Sequence, residues 1–133
     1  MAITIGLTGC SEETVTKEKT AQTVGSGSLP VYGTPCMLAL IENAACKALE
    51  AQLEAGQTSV GTLLNVQHLA ATPVGMQVRA EAMVTAVDGR KISFSVQAFD
   101  ETGVIGGGMH ERFLVNAGKF VAKCYAKQEP ISD

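Results

Sequence analysis

Two periods divide this chain. From about residue 58 onward, apolar and polar side chains alternate. Met76, Val78, Ala80, Ala82 and Val84 are interleaved with Gln77, Arg79, Glu81 and Thr85, and Ile92, Phe94, Val96 and Ala98 with Lys91, Ser93, Ser95 and Gln97. A period of two is that of strands with one buried face. Asp88-Gly89 between those runs predicts a tight hairpin turn. Thr72-Pro73 and Glu101-Thr102-Gly103 predict two further turns. Before residue 58 the period is helical: Leu38, Glu42, Ala45 and Leu49 recur at i, i+4, i+7 and i+11. Thr34-Pro35 supplies the start, with Thr34 as N-cap and Pro35 at N1. Glu54-Ala55-Gly56-Gln57 supplies the stop, with Gly56 at C′. Residues 2–16 alternate loosely through Ile3, Ile5, Leu7 and Val15 and read as a first strand, and Gly25-Ser26-Gly27-Ser28-Leu29-Pro30 reads as a flexible loop. The predicted order is one strand, one helix of roughly 20 residues and about 30 Å, then about four antiparallel strands. That is an α+β chain whose helix has a single sheet on which to bury its apolar face. Ala39, Ala44, Ala45, Ala48 and Ala51 allow the two to approach closely.

Composition narrows the classes of function. The 133 residues fit one domain, residues 1–133, and 46% hydrophobic against 17% charged is ordinary for a globular protein. A net charge of −3 with ten thinly spread Lys and Arg argues against nucleic acid as a partner. With no Trp, two Tyr and four Phe there is no base-stacking platform either. Cys10, Cys36, Cys46 and Cys124 form no CxxC pair and no ligand spacing, which fits a reducing compartment and no metal site. Leu7-Thr8-Gly9-Cys10 resembles a lipoprotein cleavage box, but the residues before it carry no positive charge and no apolar core. No apolar run approaches the length of a membrane span. The expected location is the cytoplasm.

The candidate chemistry gathers on a few residues. A carboxylate in an apolar stripe costs stability unless something pairs with it, which singles out Glu42; the same spacing also lets it border the solvated face beside Lys47, Glu50 and Glu54. His68, one of two histidines, stands at a predicted strand end before a turn. His110 lies in a glycine-rich strand beside Glu111 and Arg112. It could help position a substrate, with Arg112 meeting a phosphate or carboxylate, or the group could be a buried salt bridge that organises the sheet. Cys36 in the first helical turn could be a dipole-activated nucleophile, although small-residue packing is the better reading. Gly106-Gly107-Gly108 is no dinucleotide fingerprint, since no helix follows it at the required spacing.

Several segments together carry a resemblance to a known family. They are Thr34-Pro35, Glu42 eight residues on, Val60-Gly61-Thr62, His68 through Met76 (His-Leu-Ala-Ala-Thr-Pro-Val-Gly-Met), and Ile105 through Arg112 (Ile-Gly-Gly-Gly-Met-His-Glu-Arg). Over about residues 29–122 the chain resembles the hot-dog fold thioesterases, and more closely the fluoroacetyl-CoA thioesterase family. The resemblance implies a long central helix wrapped by an antiparallel sheet, hydrolysis of an acyl-CoA thioester, and no cofactor beyond the coenzyme A of the substrate. It implies catalytic roles for Thr34, Glu42 and His68, and a place for Gly61 in the acyl site. Tyr32, His110 and Arg112 are further candidates for substrate binding. The family member that acts on fluoroacetyl-CoA carries an aromatic gate in the loop before the threonine, where this chain has Gly27-Ser28-Leu29-Pro30, with Tyr32 the nearest aromatic. The expected substrate is therefore a small or medium acyl-CoA without fluoroacetate specificity. Enoyl-CoA hydration and non-catalytic acyl-CoA binding are the competing activities.

Thioester hydrolysis needs an attacking oxygen, a base and donors aimed at the developing oxyanion. Glu42 fits nucleophile or base, His68 a proton shuttle, the Thr34 hydroxyl an orienting group, and the Gly61 backbone N–H a donor to the thioester oxygen. Eight helical residues rise about 12 Å, too far for Thr34 and Glu42 to share a hydrogen bond. Hot-dog proteins similar to this one place their sites between subunits, so the expected assembly is a homodimer, or a tetramer built from it.

Overall fold

The structure is a computed structural model that describes residues 2–128. Five antiparallel strands, β1 (Thr8–Thr14), β2 (Gln57–His68), β3 (Gln77–Asp88), β4 (Lys91–Asp100) and β5 (Gly103–Asn116), form one sheet in the order β1-β3-β4-β5-β2. The period-two runs lie where alternation places them. Val78, Ala80, Ala82 and Val84 on β3, and Ile92, Phe94, Val96 and Ala98 on β4, are all buried on one face. The helix α2 (Thr34–Leu49) lies against that face and buries Met37, Leu40, Ile41, Ala44, Ala45, Ala48 and Leu49. Each large side chain so buried contributes about 1.5–3 kcal/mol of hydrophobic stabilisation. The helix packs chiefly over β1 and β3, and β5 and β2 extend past its flank.

Small residues set the closeness of that packing. A Cβ at Gly9 on β1 would overlap the Ala44 carbonyl oxygen and the Ala48 backbone nitrogen. Only glycine lets this strand cross the helix at such short range. Ser11, the next residue facing the helix, donates to the Asn43 side chain and fixes the crossing point.

Four details differ from the sequence expectation. Thr34 is the first residue inside the helix, and the N-cap is Gly33, with extended backbone angles of −76° and 138° and no side-chain cap. A short helix, α1 (Ala21–Val24), packs so closely behind Gly33 that a Cβ there would lie 3.1 Å from the Ala21 nitrogen. A capping side chain there would push α1 back by a few tenths of an ångström. At the other end α2 stops at Leu49 after 16 residues and tightens into a 3₁₀ turn over Glu50–Gln52. That turn brings Leu53 back onto the core. Gly56 is therefore no helix C′ residue; with φ +78° it forms the turn into β2. Finally, α1 and a helix after β5, α3 (Ala117–Tyr125), were not expected. Both are short and bury none of their residues, so neither carries the long core-facing stripe that marks α2. No helix of the described residues is long and apolar enough to cross a membrane.

Candidate active site

The polar residues singled out by sequence form two clusters, one at the start of α2 and one along its flank. At the start of the helix, the Thr34 hydroxyl lies 2.7 Å from His68 Nδ1. The missing cap explains why this is open to it. In the first turn, unlike at the N-cap, the threonine hydroxyl has no helical amide to satisfy, and it turns instead to the end of β2. Tyr32, 1% exposed, stands edge-on to the His68 ring with centroids 6.5 Å apart. Its hydroxyl donates to Glu13 Oε2 at 2.6 Å, and Lys19 pairs with Glu13 Oε1 at 3.1 Å. Burial first, then that hydrogen bond, raises the Tyr32 phenol far above its ordinary range. The phenol is therefore a permanently neutral prop beside the histidine. Burial also pushes the Cys36 thiol up, which argues against the thiolate reading.

Burial holds the His68 pKa below its usual value, opposed only in part by the Ala70 backbone. His68 Nε2 is buried without a protein hydrogen-bond partner. Thr34, His68 and Tyr32, together with Leu69 and Ala70, line a hollow of about 220 Å³. A larger hollow of about 540 Å³ lies on the sheet face turned away from α2, among Thr8, Cys10, Glu81, Met83, Ser95 and Gln97. Glu81 is its sole carboxylate, and no histidine joins it, so size alone is a poor guide to the chemistry here.

The second cluster surrounds Glu42. Arg112 on β5, its side chain 7% exposed, places Nη1 3.2 Å from Glu42 Oε2, whose own side chain is 39% exposed. The guanidinium is spread over further acceptors: Nε donates to Ser59 Oγ at 2.8 Å, Nη2 to the Ser59 carbonyl at 3.1 Å, and Nη1 also to His110 Nε2 at 3.1 Å. His110 is wholly buried and stacks on Phe94, with ring centroids 5.8 Å apart. Gly61 faces this group from β2, opposite Arg112 and beside a β-bulge. A Cβ there would lie 2.5 Å from Glu42 Oε2, 3.2 Å from Arg112 Nη1 and 3.3 Å from His110 Cε1.

Seven residues of these clusters, Gly61 among them, are those to which the sequence pointed; Ser59 and Glu13 are not, their signal being only their strand register. Thr34 meets His68, while Glu42 meets Arg112 and hydrogen-bonds neither of them within the chain. Among the described residues, no three His, Cys, Asp or Glu side chains are grouped to hold a metal.

Residues 15–118 match the family description of the fluoroacetyl-CoA-specific thioesterases. The chain belongs to that family. A curated relative, the fluoroacetyl-CoA thioesterase of Streptantibioticus cattleyicolor, is 41% identical over 97 residues, spanning 73% of this chain and 70% of its own. A solved mutant of the fluoroacetyl-CoA-specific thioesterase, bound to fluoroacetate and CoA, superposes with a TM-score of 0.83 at 33% identity, over 89% of this chain and 99% of that one. A hot-dog-like protein from Thermanaerovibrio acidaminovorans superposes at 0.85 with 24% identity, over 96% and 94% of the two chains. It shares the fold, and the curled sheet around α2 is the hot-dog fold.

Two measurements follow from this geometry. Gly61→Ala should leave the unfolding midpoint within a few degrees of wild type, because the Cβ meets the movable end of the Glu42 side chain and not backbone, and asks only a few tenths of an ångström of Arg112 and His110. The same contact displaces the carboxylate, so turnover should fall by at least about tenfold; steady-state kinetics beside a thermal melt checks both, and unchanged turnover would show that the carboxylate tolerates the shift. The second concerns pH. Burial, joined for His110 by the Arg112 charge, holds both histidines below their ordinary pKa. Below about pH 6.5 the unfolded chain therefore takes up protons that the folded chain still refuses. Stability should decline as pH drops from about 7 to about 5, a trend that melts across this range would read directly.

Proposed function

We propose that this chain hydrolyses a small or medium acyl-CoA thioester at a site shared between two copies of itself. The observation that carries the reading is the Thr34–His68 hydrogen bond in a member of this thioesterase family. An imidazole held neutral at physiological pH and bonded to a hydroxyl is suited to proton transfer. Glu42 supplies the carboxylate that drives attack on the thioester carbonyl: Oε2 is tied to Arg112, which leaves Oε1 to act as nucleophile or to take a proton from water. Gly61 gives the acyl group access past a position where any side chain would strike Glu42. No cofactor is needed beyond the coenzyme A of the substrate.

The two-copy arrangement is supported by the edge of the sheet. β2 is outermost, twelve residues long, and carries Gly61 and His68. A bare edge of that length is a template for pairing. Antiparallel pairing with a second copy would bring a partner toward the half-exposed flank of Glu42 and supply the second wall that the shallow hollow at His68 lacks. Sedimentation at micromolar concentration should show a species of twice 13.8 kDa; a monomer alone would contradict the shared site. The loop of Gly27, Ser28, Leu29 and Pro30 offers no aromatic gate, which supports an acyl group chosen by size and not by a fluorine substituent.

Thiol release from a panel of acetyl-, fluoroacetyl-, butyryl-, hexanoyl- and crotonyl-CoA tests the activity. Release from the short saturated esters is expected. Loss of enoyl absorbance without thiol would point to hydration, and saturable binding with neither would leave a ligand-binding module.

A further inference from the structure

His110 is wholly buried between β2 and β4, and both its ring nitrogens are engaged. Nδ1 lies 2.8 Å from the Leu63 carbonyl oxygen, which only accepts, so Nδ1 carries a hydrogen. Nε2 lies 3.1 Å from Arg112 Nη1, and a guanidinium only donates, so Nε2 presents its lone pair. Those two contacts admit one form of the ring, the neutral Nδ1–H tautomer. A protonated ring would turn an N–H against the guanidinium, and the alternative tautomer would do the same while leaving the carbonyl unserved.

We infer that His110 is a positioning residue that acts through Arg112 on Glu42. Ser59 and His110 hold the guanidinium so that Nη1 faces Glu42 Oε2, and the carboxylate takes its orientation from a fork it does not itself align. Four of the five N–H donors of Arg112 are thereby engaged, by Ser59 Oγ, the Ser59 carbonyl, His110 and Glu42, which leaves one Nη2 hydrogen open to a ligand. With both ring nitrogens engaged, His110 serves the guanidinium and not a substrate. The charged groups that face the His110 ring are Arg112, Glu42 and Glu111; burial and Arg112 disfavour the imidazolium, and the two carboxylates and the Leu63 carbonyl oppose them. Gly61 completes the arrangement, since any side chain there would enter the space in which the three groups meet. The inference rests on the proposed role of Glu42.

Two experiments test it together. The chain has only two histidines, so long-range ¹H–¹⁵N spectra of the wild type and of His68→Asn assign the His110 ring without ambiguity. The Nδ1–H tautomer at neutral pH is expected; an Nε2–H tautomer or an imidazolium overturns the inference whatever the turnover. The kinetic arm uses the acyl-CoA that releases most thiol in the panel. His110→Phe keeps the stack on Phe94 but removes the acceptor for Arg112, and should lower kcat about tenfold or more while KM stays within about threefold. His110→Gln restores an acceptor within reach of Arg112 and should recover most of that loss. If both variants lose kcat in step with their melting temperature, His110 is only a packing residue. Wild-type turnover in Glu42→Gln would instead remove the Glu42 role while the tautomer result still stands.

Discussion

Glu42→Gln should cut thioester turnover by at least about a hundredfold with little change in fold, the scale expected when a general base or its equivalent is removed. The amide oxygen of glutamine can still accept from Arg112 Nη1, and the side chain is 39% exposed, so water serves whatever the amide leaves unmet. What the substitution removes is the negative charge and the basic lone pair at the free oxygen. A parallel fall in kcat and kcat/KM would place the loss in the transition state, whereas a rise in KM alone would mark Glu42 as a binding group. Single-turnover hydrolysis in H₂¹⁸O adds to the mechanism. Label entering the Glu42 carboxylate shows direct attack, whereas label confined to the released acid is the result of water attacking either the thioester or the acyl carbonyl of a Glu42 anhydride.

Arg112→Lys should be the more damaging change to the protein as a whole. Lysine keeps the charge but cannot present a planar fork to Ser59 Oγ, the Ser59 carbonyl, His110 Nε2 and Glu42 Oε2 at once. At least one buried acceptor is stranded, most plainly His110 Nε2, at about 1–3 kcal/mol. A compact ammonium beneath the sheet adds desolvation, discounted because its carboxylate partner reaches solvent. The sum, on the order of 2–4 kcal/mol, is a large share of the stability of a domain this size. Denaturant unfolding measures it. A variant as stable as wild type would mean that the Arg112 network contributes geometry and no stability.

These two residues also mark where the sequence stops being legible. The strands were readable because alternation is local: each of the runs on β3 and β4 declares its buried face within ten residues. The Asp88-Gly89 turn was equally plain, with Gly89 at φ +60° as a turn of that kind requires. The entrance of α2 was readable to within one residue, and the error there was instructive. A threonine before a proline has all the makings of a cap, and only the packing of α1 against Gly33 assigns the cap elsewhere. The resemblance brought Thr34, His68 and Glu42 onto one page but said nothing of their partners. The Glu42–Arg112 pair spans seventy positions and depends on where α2 comes to lie against β5, a placement that hydropathy does not encode. Ser59 has no distinguishing neighbours at all; it matters because the β2–β5 register sets it close to Arg112.

The glycine at the head of α2 has a consequence for anyone seeking a sturdier version of this protein. Replacing a glycine helix start by serine or aspartate is an ordinary route to a few tenths of a kcal/mol. Here the wall of α1 offsets that small gain, since a side chain at Gly33 must push it back, and moving the hydroxyl duty to Thr34 would pull it off the imidazole. The molecule forgoes robustness at this point so that one alcohol stays at liberty, and directed evolution for heat resistance should find its gains almost anywhere else.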